Sequence, residues 1–342
     1  MTIIYFMLVL GVTVFIHEFG HFIFAKKAGV YVYEFSIGMG PKLFSFKRKN
    51  DETAYSIRLL PIGGFVQMAG EEISVDENVP LEKHMYKKTW LQRASIIVAG
   101  VLFNFLLAII LLFAIGLFVG VNDNKAYIGE ISNEYNAIKT DLEVNDEIIY
   151  LNGKKADNID KFNLQLQLNY GNNLNLTVKD KNGKIKDITI KPTKEDEIYH
   201  YGFSITSKET KGFIASLKYA FTKFLSLIEQ MALIIGYLIT GKLKLNTLSG
   251  PVGIFNVVGE SAKAGLINLV YLVAYLCINV GFINIMPFPA FDGGRLLFLI
   301  IEKLKGSPVT PKIENTIHAV GLVLLMLLMV VITYNDIVRL FF

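Results

Sequence analysis

The chain has 342 residues, 52% hydrophobic and 19% charged, with a mean hydropathy of +0.44. That is too apolar for an ordinary soluble domain and too charged for a protein that is membrane throughout, so bilayer spans must alternate with a soluble part. The formal charge of +4 is small for this length, no basic run with interleaved aromatics points to nucleic acid, and the lone Cys277 excludes an intrachain disulfide.

The first apolar stretch, Thr2 to Ala25, is long enough to cross a hydrocarbon core of about 30 Å at 1.5 Å per residue. No basic residue precedes it and Lys26-Lys27 follow it, so it reads as a retained span and not as a signal peptide. It contains His17-Glu18-Phe19-Gly20-His21. Positions i and i+4 share a helix face, so His17 and His21 offer two imidazole nitrogens to one ion, and Glu18 beside them is placed to take a proton from the attacking water. The bland alternative is a pair of buried histidines hydrogen-bonded in a helix bundle, but ionisable residues inside membrane segments are usually functional.

A polar loop from Lys26 to Arg93 leads to a second stretch, Ala94 to Val121. Polar residues and turn signals then take over from about Asn122 to Ser207. The runs around Glu147–Leu151, Asn173–Val178 and Lys184–Ile190, with turns at Asn152-Gly153 and Asn182-Gly183, read as strands and hairpins, and Lys161 to Leu168 as a short helix. The order Ala126–Ile131, Leu142–Ile149, Leu151–Lys154 resembles a bacterial PDZ domain, with Lys139-Thr140-Asp141-Leu142 where Ala-Gly-Leu is usual. PDZ domains bind extended peptide by strand addition, which implies a gate or docking site. Phe213 to Leu238 is apolar but carries Lys218, Lys223 and Glu229, and an interfacial helix fits it better than a further span.

The third stretch, Leu266 to Phe288, runs into Asn284-Ile-Met-Pro287-Phe-Pro289-Ala-Phe-Asp292-Gly293-Gly294-Arg295, and the fourth spans Thr316 to Phe342. Two prolines and two glycines break the helix at membrane depth, which is tolerated only where protein or a wet cavity covers the freed backbone. Asp292 is therefore the best-placed third ligand for His17 and His21; the alternative is a loop Asp that caps the turn at Gly293. His84 and His200 fall in polar loops, and His318 reads as a packed helix residue. Lys and Arg outnumber Asp and Glu by eleven to eight in the first loop and are outnumbered in the polar module, which places the first loop on the cytoplasmic side and the module outside. His17 then lies about 22 Å along its helix, toward the cytoplasmic face.

The H-E-F-G-H helix, the N-x-x-P-x-P-x-x-D-G-G motif and the PDZ-like insert together resemble the site-2 protease family of intramembrane zinc metalloproteases, peptidase family M50, in its bacterial RseP-type branch. Arg58–Gly70 resembles that family's membrane-associated β-hairpin region, Gly100-Val-Leu-Phe-Asn104 its second-span motif and Leu248–Ile254 the segment before its third span, while Phe291 stands where Leu is common. The resemblance implies a polytopic α-helical membrane protein with four transmembrane helices, a membrane-associated β-hairpin region and an inserted PDZ-like α/β domain. In residue ranges this is a first span 1–25, a cytoplasmic loop 26–93, a second span 94–121, the PDZ-like domain 122–207, an interfacial helix and GPVGI segment 208–265, a third span 266–291, a cytoplasmic connector 292–315 and a fourth span 316–342.

It further implies zinc on His17, His21 and Asp292, with Glu18 as general base. Asn284, Pro287 and Pro289 would hold the substrate strand, although Asn284 reads equally well as a helix-packing amide, and a strand edge near Gly63 and Gly64 would receive extended substrate. The implied substrates are single-span proteins such as anti-sigma factors, and remnant signal peptides, cut in the cytoplasmic membrane with the PDZ-like domain on the extracytoplasmic side. A silent scaffold would need the ligands but not Glu18, and a metal transporter would need polar residues at depth in several spans, where the second and fourth offer only Asn104 and His318.

Overall fold

The computed structural model describes residues 1–71, 78–196, 198–243 and 247–341. They fall into two compact units, Met1–Leu111 with Leu245–Phe342, and Leu112–Lys244. In chain order the elements are α1 (Thr2–Lys27), β1 (Val32–Lys47), β2 (Ala54–Met68), α2 (Trp90–Val119), β3 (Val121–Asn122), β4 (Tyr127–Ile131), β5 (Glu147–Leu151), β6 (Lys154–Lys155), α3 (Ile159–Leu168), β7 (Leu174–Lys179), β8 (Ile185–Ile190), β9 (Thr193–Glu195), β10 (Ile198–His200), β11 (Phe203–Thr206) and β12 (Glu209–Thr210). Five helices complete the chain: α4 (Phe213–Ile239), α5 (Pro251–Ala264), α6 (Leu266–Ile285), α7 (Asp292–Lys305) and α8 (Pro311–Phe341).

In the first unit, α1 contains no proline and runs without interruption through Gly11 and Gly20, and it stops where Gly29 takes φ +69°. β1 and β2 then form one long antiparallel hairpin with several register shifts. Gly38, at φ +86°, is where the strands crowd: a Cβ there would stand 2.5 Å from the Leu60 carbonyl oxygen. Glu34, buried in this hairpin, binds Lys42 and Arg58 at 2.7 and 2.8 Å and accepts a hydrogen bond from Ser56. Burial alone would raise its carboxyl, but these three partners hold it below the usual carboxylate range.

Thr89 and Gln92 cap the start of α2 reciprocally, each side chain accepting from the other's backbone N–H at 3.4 and 3.0 Å. At the other end of the unit the Asp336 carboxylate of α8 accepts from the backbone N–H groups of Gly250 and Gly253 at 2.9 and 2.8 Å, fixing the start of α5.

The second unit carries the strands and hairpins that the polar segment suggests. Its main sheet is antiparallel throughout, in the order β11-β4-β5-β7-β8 with β6 beside β5. Asn152 and Gly153, at φ 49° and 72°, make the tight turn between β5 and β6. The core beneath the sheet is built from Ile128, Ile148, Leu151, Leu174 and Val178, closed by Phe162 of α3. The helix begins two residues before the sequence expectation, because Asn158 caps it by accepting from the Lys161 N–H at 2.9 Å. Asp160 of α3 meets Lys223 and Ser226 of α4 at 2.6 Å each, so α4 turns a polar stripe toward its own unit.

Among the described residues, α1, α2, α4, α6 and α8 are the five helices long and apolar enough to cross a bilayer by length and composition. Four of them match the stretches read from the sequence, and α4 is the segment read there as interfacial.

Phe162 is fully buried and fills the space between α3 and the sheet. Phe162→Ala should lower the free energy of opening of the β5, β7 and β8 amides by about 3–5 kcal/mol, read by hydrogen exchange on the full-length protein.

Candidate metal centre

His17 and His21 lie edge to face one turn apart on α1, buried, with ring planes at 84° and centroids 4.8 Å apart. The His21 Nδ1–H donates to the Ile96 carbonyl of α2 at 2.8 Å, which leaves the Nε2 lone pair free. Asp292 Oδ2 lies 3.0 Å from His17 Nε2 and 3.2 Å from His21 Nε2, and the two nitrogens are 3.2 Å apart.

This triangle fits a metal and little else. Ligand atoms about 2.0–2.1 Å from a tetrahedral zinc stand about 3.3 Å from one another. Despite its two close neighbours, Asp292 Oδ2 is a buried atom with no hydrogen-bond partner. Among the described residues it forms, with the two imidazoles, the group of three ligand atoms near enough together to share an ion.

Backbone contact between α1 and α2 creates the room. A Cβ on Gly20 would stand 2.5 Å from the Ala99 carbonyl oxygen, and one on Gly100 would stand 2.4 Å from His21 Nε2 and 2.7 Å from His17 Cε1. Four residues further along α2, the Asn104 amide, fully buried, reaches His17 Nδ1 at 3.4 Å through Nδ2, while its Oδ1 has no partner. A half-turn of this amide puts Oδ1 on the Nδ1–H and frees Nε2 for metal, satisfying both groups at once.

Asp292 is delivered by the loop between α6 and α7. A Cβ on Gly293 would stand 2.2 Å from the Met286 carbonyl oxygen, and one on Gly294 2.5 Å from that of Phe288, so both glycines are needed for the chain to fold back on itself. Ala290 holds φ +84°, a strained value for a residue with a Cβ, of order 1–3 kcal/mol. Its N–H donates to His318 Nδ1 of α8 at 3.1 Å. Alongside, Gly321 lets α8 press on Pro289, whose carbonyl oxygen would stand 2.6 Å from a Cβ at that position.

The ligands open onto a cavity of about 400 Å³ whose wall includes Glu18, Phe65, Arg295 and His318. Arg295 is ion-paired with Glu71. Burial pulls its guanidinium toward neutrality, but the charges of Glu71 and Asp292 raise it, so it stays a cation. Glu18 Cγ lies 3.7 Å from where a Gly64 Cβ would be; Gly64 is buried, and a Cβ there would also stand 2.6 Å from the Ser36 carbonyl oxygen, while Gly63, at φ +85°, is buried against Met39.

Of the residues singled out in the sequence, His17, Glu18, His21 and Asp292 meet at one cavity, and Gly64 lies next to Glu18. Asn284 is half-buried in the last turn of α6, Pro287 is exposed and Pro289 lies under Gly321; none of these three lines the cavity. His84 is fully buried with Nδ1 near the Pro80 carbonyl, and His200 stacks on Tyr135 in the other unit. His318 is not merely packed in its helix but faces the cavity. Gly100, Arg295 and Glu71 also belong to the site, and of these Arg295 had a signal, one turn past Asp292 in a helix. The others act through contacts between residues remote in sequence.

The description Peptidase family M50 matches residues 5–328. The chain is 32% identical to the regulator of sigma-W protease RasP of Bacillus subtilis, over 99% of both chains. It is 35% identical to a putative zinc metalloprotease of Clostridium acetobutylicum, over 97% of this chain and 96% of that one, and 37% identical to another from Fusobacterium nucleatum, over 100% of each.

Metal analysis of purified variants tests the donor set. Asp292→Ala should lose zinc, Glu18→Gln should retain one ion per chain, and Asn104→Ala should weaken zinc binding by about 10- to 100-fold. Full zinc content in Asp292→Ala would put the third ligand elsewhere.

Proposed function

The chain belongs to peptidase family M50 and is a zinc metalloprotease and a multi-pass membrane protein; from that premise we propose that it hydrolyses peptide bonds inside the transmembrane segments of single-span proteins. The observation that carries this reading is the convergence of His17, His21 and Asp292 on one point beside Glu18, on a helix whose own sequence is long and apolar enough to span a bilayer.

We assign the metal to His17, His21 and Asp292 and the general base to Glu18. Zinc bound there supplies the Lewis acidity that lowers the pKa of a water toward ~7 and polarises a carbonyl. Glu18 accepts a proton from the attacking water, the water oxygen bonds to the carbonyl carbon, the C–N bond breaks, and Glu18 returns the proton to the leaving amine. A helical peptide bond is hydrogen-bonded and sterically hidden, so the substrate must enter extended. The nearness of Gly64 in β2 to Glu18 supports a strand-addition site at Gly63 and Gly64, and by family resemblance Asn284, Pro287 and Pro289 would hold the other side.

In this reading α1, α2, α6 and α8 are the four spans, and α4, with its polar stripe, lies at the interface. The strands and helix of segment 122–207 form a PDZ-like module which lysine bias assigns to the extracytoplasmic side. Substrates of the anti-sigma-factor kind are supported by the name of the Bacillus subtilis relative, a regulator of sigma-W, and remnant signal peptides share their single-span chemistry.

Purified protein in liposomes, given a panel of single-span proteins, should cut at least one within its membrane segment, and Glu18→Gln should lower the rate by about 10²–10⁴. Zinc-loaded wild-type protein that cuts none of them counts against the reading. Helix-breaking residues should also help: Gly and Pro are about 1 and 3 kcal/mol less favourable than Ala in a helix, and 1.4 kcal/mol is tenfold. Replacing residues around the cut by leucine and restoring single Gly or Pro residues should therefore restore cleavage ten-fold or more; a flat series would mean that helix opening does not limit the rate.

A further inference from the structure

We propose that His318 is a further catalytic residue: its Nε2–H donates a hydrogen bond to the carbonyl oxygen of the scissile peptide as that oxygen gains negative charge. This rests on the peptidase reading above and adds to it a donor from α8.

The tautomer follows from one contact. The Ala290 N–H can only donate, and it donates to His318 Nδ1 at 3.1 Å. Nδ1 therefore carries a lone pair, and in the neutral ring the proton sits on Nε2. That Nε2 is shielded from solvent and has no hydrogen-bond partner among the described residues, while His318 lines the same cavity as Glu18 and the three ligands. Buried polar groups are nearly always hydrogen-bonded, so an orphaned donor in a reaction cavity points to an acceptor that arrives with the substrate.

The neighbouring groups leave this role open. Glu18 and Asp292 are carboxylates and only accept when ionised, His17 and His21 direct their Nε2 atoms at each other and at Asp292, and the Arg295 guanidinium is engaged by Glu71. A neutral imidazole also suits the place, since it adds no net charge to a site already holding three carboxylates and a guanidinium.

The ring is held for the task. Gly321, one turn further along α8, presses on Pro289 so tightly that a Cβ would overlap it, and His318 shares that face. The same bond that fixes the tautomer restrains Ala290, two residues before Asp292. When the water oxygen bonds to the carbonyl carbon, the carbonyl π electrons move onto oxygen; they return when the C–N bond breaks and nitrogen takes the proton removed by Glu18. A donor aimed at that oxygen helps most when the charge is largest, and losing one such donor typically lowers kcat by about 10²–10³.

A purely structural role, pinning Ala290, is the competing account, and two substitutions separate them. Asn places its amide oxygen near the position of Nδ1 and can keep the pin without the donor, whereas Gln extends an amide N–H toward the position of Nε2. The full-length, zinc-loaded protein is compared with His318→Asn, His318→Gln and His318→Ala for zinc affinity, kcat, KM, and binding of two peptide inhibitors. One is a phosphinic peptide with an anionic oxygen where the charge develops; the other is a matched reduced-bond peptide without that oxygen.

His318→Asn should keep zinc and KM, lose about 10²–10³ in kcat, and lose phosphinic-peptide affinity in parallel, with reduced-bond binding unchanged. His318→Gln should recover part of both losses. In 15N spectra of the zinc-free protein the His318 ring should carry its proton on Nε2. The proposal falls if phosphinic-peptide affinity is unchanged in His318→Asn and His318→Ala, if both inhibitors weaken together with zinc, or if the proton sits on Nδ1. Zinc-loaded wild-type protein without cleavage of any substrate would overturn the peptidase reading itself, whereas an active wild type with unaffected variants overturns only the role of His318.

Discussion

Two glycines let α1 and α2 touch backbone to backbone, and the two imidazoles lie in the gap that this contact opens. Gly20 admits the Ala99 carbonyl and Gly100 leaves clear the volume in which His17 and His21 turn their nitrogens together. A methyl group at Gly100 would occupy the place of the ring atoms. The same closeness brings the Ile96 carbonyl to His21 Nδ1 and the Asn104 amide to His17 Nδ1, so one helix–helix contact sets both the position and the tautomers of the pair. In a bilayer, where apolar burial between helices gains little, small residues of this sort are what allows such an approach.

The third donor is harder to place, because it comes from a segment where helical hydrogen bonding is interrupted. α6 ends at Ile285, and the next six residues must turn a carboxylate back toward α1. The chain manages this with glycines wedged against the Met286 and Phe288 carbonyls and with Ala290 in a left-handed conformation. Such strain persists only where surrounding contacts over-determine it, and here α8 provides them through His318 and Gly321. α8 is otherwise sparsely packed, with long exposed runs of Val, Leu and Met, as expected of a helix whose solvent is lipid. Its contribution is concentrated in one face at one depth.

The convergence of His17, His21 and Asp292, with Glu18 beside them, was legible in the sequence because each residue depends on local rules: i, i+4 spacing, an ionisable group inside an apolar run, and a carboxylate next to helix breakers. The strand-rich module was legible for similar reasons, since Asn152-Gly153 and alternating runs such as Glu147–Leu151 specify hairpins by themselves. Gly100 and Glu71 were not, because a glycine that faces an imidazole from another helix looks in sequence like any small membrane residue, and Glu71 acquires meaning only from an arginine 224 positions away. His318 carried a visible anomaly, a polar residue within an apolar helix, but its direction depends on the path of the α6–α7 loop.

The arrangement divides the labour between rigid and permissive parts. The triangle of His17, His21 and Asp292 is braced from three directions, by Ile96, Asn104 and the folded-back loop, so its geometry need not be assembled by substrate. The hairpin beside it is built differently. Its register shifts repeatedly, and its order rests on polar pairs such as Glu34 with Arg58 and Lys42, while Gly63 and Gly64 are buried, the first against Met39 and the second between the Ser36 carbonyl and Glu18. In the proposed reading a strand edge of this hairpin takes extended substrate without demanding a side-chain sequence, because strand addition is made by main-chain hydrogen bonds. Selectivity would then come from which membrane helices open easily enough to present such a strand, and the fixed triangle acts on whatever backbone is delivered to it.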